Sequence, residues 1–307
     1  MEKEFDENFE KLYNQIYNSC KDRLKEVKDK NNKFLMTVAL VFLVINFIIF
    51  IVPSWKYLIG LTISLSVCIL MILMISGNKN YRRIYKENVI EGLVKAYNEK
   101  FYYSPTQGIT KVEYCLSNFD NKVDEYYSED RVYGTMENGD NFQLAEVVTY
   151  DVSRTIDSEG KVTEDKTQTF RGMYGIVRLE KNTLSNIYIA SNSRVRKFNK
   201  DRLEVDSSLF EEYYDCITKD KVTAMRIFTS ELIEKYIEIV KDNKYGFELK
   251  IIDNMIFFRY KTNQLFEPPM FSTGLDKTFI KKNYKVMYYP LEIMRQTIDA
   301  VHEVFGE

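Results

Sequence analysis

Two stretches without a charged residue, Phe34–Val52 and Tyr57–Ser76, constrain this chain more than any other feature; only Pro53-Ser54-Trp55-Lys56 separates them. At ~1.5 Å per residue, each stretch is just long enough as a helix to cross the ~30 Å hydrocarbon core of a bilayer. The pattern therefore predicts a two-span hairpin over 34–76, with spans 34–52 and 57–76. Basic residues crowd its outer ends: Lys21, Arg23, Lys25, Lys28, Lys30 and Lys33 before it, Lys79, Arg82, Arg83 and Lys86 after it. Positive flanks stay on the cytoplasmic side, so both termini are expected in the cytoplasm of a multi-pass membrane protein. Pro53 ends the first span, and Trp55 and Tyr57 suit the bilayer interface. A buried helical hairpin in a soluble protein is the rival reading.

Within the spans, Gly60, Ser64 and Cys68 repeat every four residues and Asn46 is the one strongly polar side chain. These four are the candidate helix-packing residues, serving either the hairpin itself or contact with a second copy. No ionisable side chain interrupts either span, which argues for an anchor over a channel or transporter.

Residues 1–33 carry an apolar stripe at helical spacing (Phe5, Phe9, Leu12, Ile16, Cys20, Leu24, Val27), and 77–104 carry another (Tyr81, Tyr85, Val89, Gly92, Ala96). The expectation is an amphipathic cytoplasmic helix and a stalk helix, packed as an antiparallel pair. Pro105 and Gly108 mark the start of a domain over 105–307.

That domain reads as strands first: Thr110–Leu116, Arg131–Met136, a turn at Asn138-Gly139-Asp140, Phe142–Ile156, a turn at Ser158-Glu159-Gly160, a long segment ending at Val177, then Asn186–Ala190. Helices are expected at Ser208–Tyr213, Val222–Arg226 and Glu231–Lys241, the last capped by Thr229 or Ser230. Phe247–Ile252 and Met255–Tyr260 read as a hairpin. Leu291, Met294, Ile298, Val301 and Phe305 stripe a final helix. Strands followed by segregated helices predict an α+β fold with a mixed, largely antiparallel sheet. The Lys, Asn, Ile and Tyr content fits an AT-rich bacterial genome, and with it an inner-membrane location.

The strand end Thr169-Phe170-Arg171-Gly172-Met173-Tyr174 resembles the Phe-x-Gly signature of a bacterial membrane-protein family, the domain of unknown function numbered 3137. Leu203–Phe266 is similar to it more closely. Phe210 and Tyr214 occupy its paired aromatic positions, Ala224, Ile227, Thr229, Leu232 and Ile233 its helix, and Phe257 with Phe266-Glu267-Pro268 its closing strand and exit. Ser230 departs from the proline expected at the first helical position. The resemblance implies a leading membrane hairpin and a shared fold, with Phe170, Gly172, Phe210, Tyr214, Phe266 and Pro268 as fold positions, and no activity to carry over.

Chemistry is constrained mainly by exclusion. The one histidine, His302, lies beside the final apolar stripe and reads as a boundary residue rather than a base. Multi-histidine zinc sites and histidine-based nucleophile systems are disfavoured. Cys20, Cys68, Cys115 and Cys216 are scattered and form no Cys-x-x-Cys. No phosphate-binding glycine loop is present, so no cofactor, metal or catalytic residue is assigned. Glu211-Glu212 and Glu129-Asp130 are carboxylate pairs that read as solvated faces unless a cleft gathers them.

Net charge is −2, and residues 101–307 hold 28 basic against 34 acidic side chains, which disfavours nucleic acid as a partner. Two basic clusters remain, Arg194-Val195-Arg196-Lys197-Phe198-Asn199-Lys200-Asp201-Arg202 and the group around Lys281 and Lys282, as candidate contacts for anionic lipid. The leading expectation is a membrane-anchored interaction domain for a protein partner or anionic head groups. The alternatives are a membrane-bound enzyme using carboxylates on a lipid-linked or peptide substrate, and an accessory subunit of a membrane complex.

Overall fold

A computed structural model describes residues 2–51, 59–156, 162–181, 183, 186–191, 199–242, 246–263, 266–269 and 272–306. The expected features at Pro53, Trp55 and Tyr57, the turn at Ser158-Glu159-Gly160 and the candidate lipid contacts Arg194, Arg196, Lys197 and Phe198 lie outside them. The chain divides into two compact units, Met1–Leu93 with Phe266–Lys281, and Val94–Leu265 with Lys282–Glu307.

The first unit is helical. Helix α1 runs unbroken over Glu2–Ile51 and α2 over Ile59–Tyr85. Both are long and apolar enough to cross a membrane, and their most apolar windows are not buried at all. Phe34, Leu40, Phe47 and Leu61 are each more than half exposed, which would be costly against water over so many residues. Asn46 joins the two helices: its amide donates to Phe42 O at 2.8 Å and Ser66 Oγ at 3.2 Å, and Thr62 Oγ1 donates to its Oδ1 at 2.8 Å. Ser64 and Cys68 are exposed, and Thr62 and Ser66 are the α2 residues that bond Asn46.

Outside the apolar windows, Phe9, Leu12, Ile16, Cys20 and Leu24 are buried, as are Tyr81, Tyr85 and Val89. The second stripe continues to Gly92, which packs against Ile16, while a π-helical turn over Lys86–Ile90 inserts one residue and adds Ile90 and Leu93 to the buried face. Ala96 is exposed as a result. The Phe266–Lys281 segment is tied to these helices by Tyr81 Oη donating to Thr273 O (2.6 Å), Tyr13 Oη donating to Leu275 O (3.1 Å) and Lys86 Nζ on Glu267 (2.8 Å).

The second unit is α+β around one antiparallel nine-stranded sheet. In chain order it contains α3 (Glu91–Tyr97, which begins in the first unit), β1 (Tyr102–Ser104), α4 (Lys111–Leu116), β2 (Glu125–Thr135), β3 (Asn141–Ile156), β4 (Val162–Arg178), β5 (Asn186–Ser191), β6 (Arg202–Leu203), α5 (Ser208–Tyr213), β7 (Tyr214–Thr218), α6 (Lys221–Ile227), α7 (Ser230–Asp242), β8 (Phe247–Ile252), β9 (Met255–Lys261) and α8 (Lys277–Phe305, which also begins in the first unit). The spatial order is β1-β2-β3-β4-β9-β8-β5-β7-β6.

Thr110–Leu116 is a correction to the expected strand: Lys111–Leu116 is helix α4. Thr110 Oγ1 accepts from Glu113 N at 3.2 Å while Glu113 Oε2 accepts from Thr110 N at 3.2 Å, a reciprocal cap that outweighs β-branched propensity over so short a segment. Helix α8 is likewise longer than the stripe from Leu291, and Pro290 is accommodated inside it.

Residues paired across a ladder share a face, so the register assigns two faces. One carries Ala145, Val147, Phe170, Tyr174, Ile176 and Phe257, covered by Ile109 and Tyr114 around α4. The other carries Leu144, Met173, Phe258, Leu249 and Phe247. Tyr236 of α7 packs edge-on against Phe247 and shares a 2.6 Å hydrogen bond with Thr297 of α8.

Candidate functional site

On the α4-covered face, the β8–β9 hairpin brings charges into the core. Its two-residue turn, with Asp253 at φ +53°, fixes the register that sets Glu248 opposite Arg259 and Lys250 opposite Phe257. The Arg259 side chain is only 9% exposed. It is paired with Glu248 through Nε and with Asp120 through Nη1 at 2.8 Å. Tyr188 and Tyr114 donate to those same carboxylates, and the guanidinium lies 4.7 Å from the Phe119 ring centroid. Every charge in this cluster has an opposite partner, which is how buried ions are tolerated.

Lys250, one strand over, is arranged differently. Its ammonium donates to Ser117 O at 2.9 Å and Asn118 O at 2.7 Å, and lies 4.9 and 4.7 Å from the Phe119 and Tyr188 centroids. Asn118 adopts a left-handed φ of +47°, at the end of α4, which an asparagine tolerates. Burial, and after it the nearby Arg259, pull the Lys250 pKa below its ordinary value. An ammonium has three donors, and among the described residues no acceptor takes the third.

Lys250 lines a cleft of about 480 Å³ with Asn118, Asn186, Tyr188, Asp201 and Lys219. Thr218 and Asp220 complete its polar wall, and Asp220 Oδ1 also caps α6 by accepting from Thr223 N at 3.1 Å. The side chains of Lys219, Asp201, Asn118 and Asn186 bond no other described residue. The cleft thus presents Lys219, Asp201, Asn118 and Asn186 with side chains unbonded by other described residues, beside the one remaining donor of Lys250.

A second polar cluster lies at a bulge in β2, where Asp130 and Arg131 oppose one residue of β3. Glu129, Asp130 and Glu146 bring one carboxylate oxygen each within 4.8 Å of one another, the chemistry of a hard-cation ligand set. Asp130 is fully buried at φ +57° and accepts from Tyr103 Oη, whose pKa burial and that carboxylate raise far above the tyrosine range. The pair Glu211-Glu212 does not form an acid–base couple: Glu211 accepts from Val205 N at 2.9 Å and pairs with Arg202 at 3.2 Å, and Glu212 is exposed. His302 Nε2 lies 2.6 Å from Oδ2 of the fully buried Asp140, whose other oxygen accepts from Glu180 N, so the histidine closes a structural turn.

Of the basic residues read as lipid contacts, the Arg202 side chain is 13% exposed and is bound by Asp215 at 2.9 Å and by Glu211. Lys200 and Lys282 are exposed and Lys281 is half-buried. The family-motif positions are structural. Phe170, Phe210, Tyr214 and Phe266 are buried, Pro268 is half-buried, and Gly172 sits at φ +155° where any Cβ would collide with the Tyr260 carbonyl oxygen.

Sequence reading missed Arg259, Glu248, Asp120 and Lys250. A signal was present, since single charges inside Phe247–Ile252 and Ile256–Tyr260 must be paired if those strands are buried. Comparison with known proteins adds little chemistry: residues 168–299 match the model of a family described as Protein of unknown function (DUF3137). No curated protein and no solved structure matches the chain.

Proposed function

Carrying a DUF3137 domain over residues 168–299, the chain belongs to a family defined without an activity, and we propose that it is a membrane-anchored binding domain whose cleft around Lys250 engages a protein partner. The observation behind this reading is the unspent polarity of Lys219, Asp201, Asn118 and Asn186 in the cleft, set beside the Arg259 cluster whose charges are satisfied internally. Its balanced charge fits the mixed polarity of a polypeptide better than a purely anionic head group. Among the described residues no cysteine or histidine lines it, and Asp220 is engaged as a helix cap, which favours recognition over covalent chemistry.

In this reading Phe34–Val52 and Tyr57–Ser76 span a bacterial inner membrane and hold the domain at its cytoplasmic face. Ser54→Cys should then react with a membrane-impermeant maleimide added from outside intact cells, and Lys282→Cys should not.

A photo-crosslinking residue at Lys219, on the rim of the cleft, in the full-length protein in its native membrane tests the binding role. The expected result is a protein adduct that Lys250→Gln weakens by at least about tenfold. Lipid adducts alone, or a protein adduct indifferent to Lys250→Gln, would overturn it.

A further inference from the structure

The composition of the cleft says what kind of peptide it takes, given that it is the binding site. Its cationic groups are Lys250 and Lys219 and its anionic groups are Asp201 and Asp220, with Asn118 and Asn186 between them in composition as neutral donors and acceptors. Lys250 is half-buried, and two backbone carbonyls and two aromatic rings fix its ammonium, so it is pre-organised to receive a carboxylate through its remaining donor. Asp201 is half-buried too; its backbone is anchored by Thr218 N donating to its carbonyl at 2.8 Å and by its own N–H donating to Asn199 Oδ1 at 2.9 Å. The carboxylate of Asp201, left without a described partner, is suited to a cation.

A ligand bearing one charge alone would leave part of this wall desolvated and unpaired, which costs affinity. A ligand bearing both would satisfy it. At about 480 Å³ the cleft holds a few residues of chain rather than one small ion. We infer that the cleft recognises a zwitterionic peptide segment, with a carboxylate side chain on Lys250 and an adjacent basic side chain on Asp201. This assignment rests on the binding role proposed above.

Terminally blocked tetrapeptides test it on the full chain in detergent micelles, by ligand-observed NMR. Ala-Lys-Asp-Ala is compared with Ala-Gln-Asp-Ala and Ala-Lys-Asn-Ala. The zwitterionic peptide is expected to bind at least about tenfold more tightly than either singly charged one. Lys250→Gln should abolish the preference for Asp over Asn, and Asp201→Asn the preference for Lys over Gln. Equal binding of the three peptides, or a stronger response to phosphatidylethanolamine vesicles than to any peptide, overturns the zwitterion assignment even if the Lys219 crosslink to a protein still depends on Lys250. Loss of that crosslink dependence removes the binding role itself.

Discussion

Arg259 and Lys250 lie on adjacent strands, on the same face, and share the Phe119 ring, yet they are placed in opposite ways. Arg259 is held between two carboxylates that are themselves bonded by tyrosines. Lys250 rests on two neutral carbonyls and opens onto a cleft. A buried cation with two counter-ions is part of the scaffold, because its removal strands both of them. A cation fixed by carbonyls alone keeps its net charge and remains able to attract one more group. The contrast separates structural charge from recognition charge within a few residues of each other.

Replacing Arg259 tests the structural side most severely. Arg259→Met should cost about 3–5 kcal/mol, because it leaves Asp120 and Glu248 buried without a cation, read as a fall in the denaturation midpoint of the full chain in micelles. Gly172→Ala comes next. The collision with the Tyr260 carbonyl disturbs the β4–β9 register that sets Arg259 in place, at a cost of about 1–3 kcal/mol in the same measurement. Lys250→Gln should change stability by less than about 1 kcal/mol, since its two carbonyl partners are neutral, while abolishing partner capture. If Arg259→Met and Lys250→Gln destabilise equally, the distinction between the two sites fails.

The smallest effect expected is a pH dependence. With its folded pKa held below the ordinary 10.5, Lys250 binds fewer protons than in the unfolded chain throughout that window. Stability should therefore rise slightly as pH climbs through it, whereas affinity for a carboxylate should fall, because the ammonium is lost early. Peptide titrations across roughly pH 8 to 11 should show affinity declining before the ordinary lysine value is reached. The Lys250→Gln protein should lack both trends.

Much of this scaffold was legible from pattern. The uncharged runs, the Asn138-Gly139-Asp140 turn, the β8–β9 hairpin and helices α5 to α7 follow from periodicity and turn chemistry. The Glu248–Arg259 pairing was also within reach, since a two-residue turn at Asp253-Asn254 sets these residues opposite each other. Asp120 was not, because it arrives from a loop far away in sequence and only tertiary packing brings it to Arg259. Helix α4 was misread because Val112, Tyr114 and Cys115 favour a strand, while the Thr110–Glu113 cap that decides the matter is a local polar signal. The π turn at Lys86–Ile90 left no mark in the stripe before it, so the exposure of Ala96 and the burial of Ile90 and Leu93 could not be read in advance. The role of Lys250 depends on the carbonyls of Ser117 and Asn118 that meet it from the end of α4, which only tertiary packing supplies.

Amide hydrogen exchange on the full-length protein in native-lipid nanodiscs, with and without the partner segment captured at Lys219, addresses the comparison most directly. Binding should slow exchange around Asn118 and Lys219–Asp220, on the two walls of the cleft, and leave the strand around Arg259 unchanged. Protection centred on Arg259, or none at either cleft wall, would contradict the assignment of Lys250 to recognition.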